Sequence, residues 1–112
     1  MSKRLTENRS FLTLLLEKGD KGQQRALMQT ITNAQLDAIG EIFYNLIHIV
    51  PIDKSEEKII KRSRKILQRV SAISKSAPSR RKLLKSNRVK FLKILHHFSD
   101  RLLGVIRASP LQ

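Results

Sequence analysis

The run Leu36, Ile39, Ile42, Phe43, Leu46, Ile47 and Val50 constrains this chain more than any other feature. Steps of three and four residues return each apolar side chain to one face only if the backbone is helical. The same period recurs along most of the sequence. No alternation of β-branched residues persists, and there is one Tyr and no Trp. The expected class is therefore all-α. With 112 residues, 40% of them hydrophobic, the chain is long enough for one packed core and too apolar for a disordered tail.

Helix signals divide the chain into five or six segments. The first is expected over residues 3–18, with Leu5, Leu12, Leu15 and Leu16 inward and Gly19 as C-cap. Asp20 with Gln23 has capping-box spacing and opens a short second helix through Ala26, Leu27 and Met28. Thr32 with Gln35 repeats that spacing before the long apolar run, which Pro51 ends. Asp53 and Ser55 are both good N-caps for a fourth helix reaching about residue 75, and Glu56 and Glu57 suit its positive end. Ile59, Ile66, Leu67, Val70 and Ile73 cluster there within about 120°. Ala77-Pro78-Ser79 is a break with a fresh N-cap, followed by a short basic helix that Ser86-Asn87 caps or kinks. The last helix is expected over residues 88–106, with an apolar arc about 180° wide.

Together these segments predict a single compact bundle over residues 1–112. Its fourth and sixth helices are the longest, and its core is Ile39, Ile42, Phe43, Leu46, Ile66, Val70, Leu95, Phe98 and Leu102. A six-helix bundle of death-fold type fits by helix count alone. A histone-like, self-associating pairing is the other option, since the wide last arc could need a partner chain.

Catalytic and metal chemistry find no constellation. Cys is absent, which removes disulfides, Cys-based zinc sites and thiol catalysis. Of His48, His96 and His97, the last two are adjacent and diverge by about 100° on a helix, so they read as surface or boundary histidines. Glu41, with Asn45 four residues on, reads as a local polar pair or a bridge to a basic residue of the fourth helix. Gly19 and Gly22 fit turns, not a phosphate loop. No catalytic residue, metal site or cofactor is expected, and hence no enzyme. The apolar piece at residues 11–16 is too short for a secretory signal, and no run approaches a membrane span; an intracellular protein is expected.

Charge carries the functional signal. Lys plus Arg number 23 against 9 acids, a net charge of +14. Residues 1–50 hold six basic and five acidic groups; residues 51–112 hold seventeen and four, so nearly the whole field belongs to the second half. No acid occurs from residue 58 to residue 88. Lys58, Arg62, Lys65 and Arg69 form a stripe beside the apolar arc of the fourth helix, and Lys61 and Arg64 widen it. A solvated helix face normally mixes both signs, because like charges four apart repel by a few tenths of a kcal/mol. A stripe that works against its own helix points to a bound polyanion. Arg80, Arg81, Lys82, Lys85 and Arg88 extend it. These eleven residues are the expected nucleic-acid contacts. Duplex DNA is favoured, and sequence-specific reading is not expected, because aromatics are scarce and no known DNA-reading signature is present. The rivals are a helical interaction module facing an acidic protein and an amphipathic membrane-active protein.

The run Gln35-Leu36, Ile39, Glu41-Ile42, Asn45-Leu46 and the later Ile52 carry a resemblance, continued by Lys61-Arg62, Arg64-Lys65-Ile66 and Arg80-Arg81-Lys82-Leu83-Leu84. Over residues 33–84 the chain resembles the small basic proteins encoded near capsid genes in Polinton (Maverick) elements and the related adintovirus-like genomes of animals. Members often place Gly-Gly and a very apolar segment after the last basic block; here Ser86-Asn87-Arg88-Val89-Lys90 stands in that place. The resemblance implies a virus or transposon product acting in the nucleus or in a virion. It would be a virion core or capsid-associated component, with capsid proteins as further partners; copies of itself are an expected partner only on the strength of the wide last arc.

Overall fold

The structure is a computed structural model that describes residues 3–17, 21–72 and 76–107. Its regular elements there are all helices: α1 (Lys3–Glu7), α2 (Arg9–Leu16), α3 (Lys21–Gln29), α4 (Asn33–His48), α5 (Lys54–Ser71), α6 (Ala77–Ser86), α7 (Arg88–His97) and α8 (Ser99–Arg107). The all-α class holds. The count exceeds the expected five or six because the first and last segments each break in two.

The first break has a local cause. Asn8 leaves helical geometry (φ −109°, ψ 19°), and its side-chain amide donates to the Arg4 carbonyl at 2.8 Å. A side chain that competes for the carbonyl four residues back bends a helix. Asn87 does the same between α6 and α7, with φ −116° and ψ 22° and a 2.9 Å bond to the Leu83 carbonyl. Phe98 breaks the last segment at φ −101°, ψ 12°. With that split, α5 and α4 are the longest helices, at 18 and 16 residues. The last segment, expected from its apolar pattern to be one of the two longest helices, is instead two short ones of 10 and 9 residues.

Two helix starts match their sequence signals. Thr32 and Gln35 form a reciprocal capping box on α4, and Asp53 forms one with Glu56 on α5. The cap of α6 is Ser76, with Pro78 inside the first turn. The α5 helix stops at Ser71, four residues short of the expected end. Gly19, Asp20 and Ile73 lie outside the described residues.

One apolar cluster takes side chains from both halves of the chain. Leu36, Ile39, Ile42, Phe43 and Leu46 of α4 are buried in it, and Phe43 meets Phe91 of α7 with ring centroids 5.1 Å apart. The radius of gyration is 13.0 Å, close to the ~13 Å of a single globule of this length. Of the expected core only Ile66 departs: it is half-buried, and Ile60 and Leu67 take the inward positions on α5. The wide arc of the last segment is absorbed by the fold. Phe91, Ile94, Leu95, Phe98, Leu102, Leu103 and Ile106 are all buried, because the bend at Phe98 lets α7 and α8 both pack against α2.

Where α4 crosses the end of α5, the two backbones come close. A Cβ added at Gly40 would stand 3.0 Å from the Val70 carbonyl oxygen, 3.1 Å from Arg80 Nη2 and 3.2 Å from the Ser71 Cα. Glycine is needed there for want of space, not for its dihedral freedom.

Candidate nucleic-acid interface

Most of the expected cations stand on the surface, but Arg80 does not. It is only 3% exposed. Its Nε donates to the Val70 carbonyl at 2.9 Å, and its Nη1 to Asp37 Oδ1 at 2.7 Å. Val70 O is one of the carbonyls left without an intrahelical donor at the end of α5. Arg80 therefore caps α5 and ties α4 to α6, and is a structural residue, not the surface contact expected from the sequence. Arg81 is half-buried and donates through Nη2 to Asn33 Oδ1 at the start of α4.

Four of the nine acids are similarly engaged elsewhere. Asp37 pairs with Arg80, Glu41 with Arg4 at 3.3 Å, and Glu7 with Lys3. The Glu41 bridge thus runs to α1, and the Asn45 side-chain amide donates to the Glu41 carbonyl at 2.8 Å. Glu56 is buried and takes two guanidinium nitrogens of Arg101 and the His97 Nε2 at 2.8 Å. The hydrogen bonds from Arg101, with those from the α5 cap and His97, hold its carboxyl down at about 2, against an ordinary value of 4.5. Arg101 also lies over the Phe98 ring, 5.0 Å from its centroid. This ion pair bolts the start of α5 to the bend between α7 and α8. From the sequence, Glu56 showed only its favourable place at a helix start.

The remaining cations are gathered by the fold. The break at Asn87 leaves the end of α6 and the start of α7 facing α5 across a groove of 830 Å³. Arg62, Lys85, Arg88, Lys90 and Lys93 line it, over a floor that includes Ile59 and Ile94. A second groove, of 570 Å³, continues from Ser86 and carries Arg69 and Lys82. Lys65 and Arg69 then line a third along α5. None of the three is lined by an acid among the described residues, and no ion pair between described residues engages these cations.

Of the eleven expected contacts, the grooves therefore unite Arg62, Lys65, Arg69, Lys82, Lys85 and Arg88. Lys58 is exposed and continues the α5 stripe by one turn. Lys61 and Arg64 are exposed too, but stand about 80° and 140° round the helix from Arg69. Lys90 and Lys93 were missed. Their signal in the sequence is a pair of cations three apart on the outer side of the last segment, where the broad apolar arc dominates the pattern. His96 bonds the Leu15 carbonyl at 3.2 Å, while His48 packs its ring on Tyr44 with centroids 4.5 Å apart. No group of three metal-ligating side chains occurs among the described residues, and no helix there is long and apolar enough to cross a membrane.

Compared with protein-family models, with curated proteins and with solved structures, the chain finds no match.

Proposed function

We propose that this is a non-enzymatic, sequence-tolerant nucleic-acid-binding protein that neutralises or packages duplex DNA. The observation that carries the reading is the separation of its charges. The ion-paired cations Lys3, Arg4 and Arg101 sit on α1 and α8. Arg80 of α6, at the wall of the second groove, is turned inward onto Asp37, while the other cations of the acid-free grooves of α5, α6 and α7 have no ion pair among the described residues. Such a surface lowers its own electrostatic cost when it meets phosphates, and contacts to phosphate carry no base sequence. The resemblance to Polinton-type basic proteins supports a setting in the nucleus or a virion, beside capsid proteins.

Salt-dependent gel shift on random duplex DNA tests it. Each phosphate contact contributes about 0.9 to the slope of log affinity against log salt. Reversing Arg62, Lys65 and Arg69 to Glu should flatten that slope by about 2.7, with the fold intact because all three are exposed. A matching reversal of Lys61 and Arg64 should do much less. Equal loss per charge from both variants would mean that only total charge matters. Binding that ignores both would favour an acidic protein as the partner of the basic face.

A further inference from the structure

A smaller groove of 240 Å³ lies between α3 and α7, on the flank of α7 away from α5. Arg88, Val89 and Lys93 line both this groove and the 830 Å³ one. Residues shared by grooves on opposite flanks stand on the crest between them. Arg62 and Lys85 rise on one side of that crest, and Arg25 rises on the other. At its top Val89 is 58% exposed, an apolar side chain held out among cations.

Building on the nucleic-acid reading above, we propose that α7 is the element that enters the major groove of B-form DNA. In this arrangement Arg88, Val89 and Lys93 meet the groove, and Arg62, Lys85 and Arg25 hold the phosphates of the two strands. The dimensions agree. A helix with its side chains is about 10–12 Å across, and the major groove of B-DNA is about 12 Å wide. The ten residues of α7 extend ~15 Å. Val89 offers an apolar contact to base edges with no donor or acceptor to satisfy, which suits tolerance of sequence. Among the described residues neither groove is lined by Phe, Tyr or Trp, and the imidazole of His96 is tied to the Leu15 carbonyl at 3.2 Å, which disfavours single-strand stacking there. A-form RNA presents a deep, narrow major groove that side chains do not enter.

Dimethyl sulfate footprinting of the full chain on mixed-sequence duplex DNA tests the placement, since the reagent marks guanine N7 in the major groove and adenine N3 in the minor. The expected result is protection at N7 and none at N3. Duplex DNA should also bind at least about tenfold more tightly than duplex RNA of equal length at the same salt. Val89→Glu should weaken DNA binding about tenfold and remove the N7 protection without lowering the melting temperature, whereas Lys54→Glu, at an exposed position outside the interface, should keep both. Duplex binding with N7 unprotected, or equal affinity for RNA, overturns the insertion of α7 and leaves the nucleic-acid reading standing. Failure to bind any polynucleotide at low salt overturns that reading, and the insertion with it.

Discussion

Arg80 divides structure from function, and its replacement by alanine separates the two experimentally. The residue is 3% exposed and makes two charge-assisted contacts, to the Val70 carbonyl at 2.9 Å and to Asp37 Oδ1 at 2.7 Å. A hydrogen bond to a charged group contributes about 1.5–3 kcal/mol, and removing one partner of a buried ion pair costs about 3–5 kcal/mol. Asp37 keeps 29% of its side chain in solvent, which draws the cost toward the lower end. Arg80 Nη2 has no hydrogen-bond partner among the described residues, so its removal costs nothing further in bonding there. The loss should be about 3 kcal/mol, or roughly 12 °C in melting temperature at about 4 °C per kcal/mol for a domain of this size. Thermal melting followed by circular dichroism reads that directly. The salt slope of DNA binding, measured below the transition, should stay at the wild-type value. Arg62→Ala should behave oppositely: the slope falls by about 0.9 and the melting temperature holds, because surface changes stay within about 0.5 kcal/mol. Were Arg80→Ala to melt like the wild type while its salt slope fell by about 0.9, the argument from burial would be wrong.

Other consequences concern packing and pH. Gly40→Ala should destabilise by about 1–3 kcal/mol in urea titration, because two of the three atoms crowding the new methyl belong to the α5 backbone and cannot swing away. Gly104→Ala, where no described residue lies within 4 Å, should instead stabilise by about 0.5–1 kcal/mol through helix propensity. The carboxyl of Glu56 is depressed from 4.5 to about 2, so its contribution is fully present above pH 4.5 and is lost as pH falls from there toward 2. The gap in melting temperature between wild type and Glu56→Gln should therefore be constant near neutrality and close across that acid window; a gap independent of pH would show that the Arg101 contact does not act through the charge.

The helices were legible because their signals are local. Thr32 with Gln35, and the Asp53 cap, satisfy backbone groups within three residues, and the apolar period of α4 needs no knowledge of its neighbours. The charge asymmetry was legible for the same reason, since it is a count along the chain. The splits at Asn8 and Phe98 were not, because a break with unbroken polarity leaves the period almost in phase. Arg80 was misread as a surface cation because its partner Asp37 is 43 residues away, and a basic block looks the same whether a member faces solvent or a helix end. Glu56 was similarly opaque, its partner Arg101 lying 45 residues on.

Residue order alone thus determined that the chain is helical, where most helices begin, and that the second half carries the positive field. Tertiary structure decided which of those charges can act. The bend at Asn87 turns α7 to face α5 across a groove whose lining brings Arg62 together with Lys85, Arg88 and Lys93, while Glu41, Asp37 and Glu56 are drawn off to Arg4, Arg80 and Arg101. Periodicity and capping reach only about one turn along a helix, whereas a field available to a ligand depends on which distant charges packing has already neutralised.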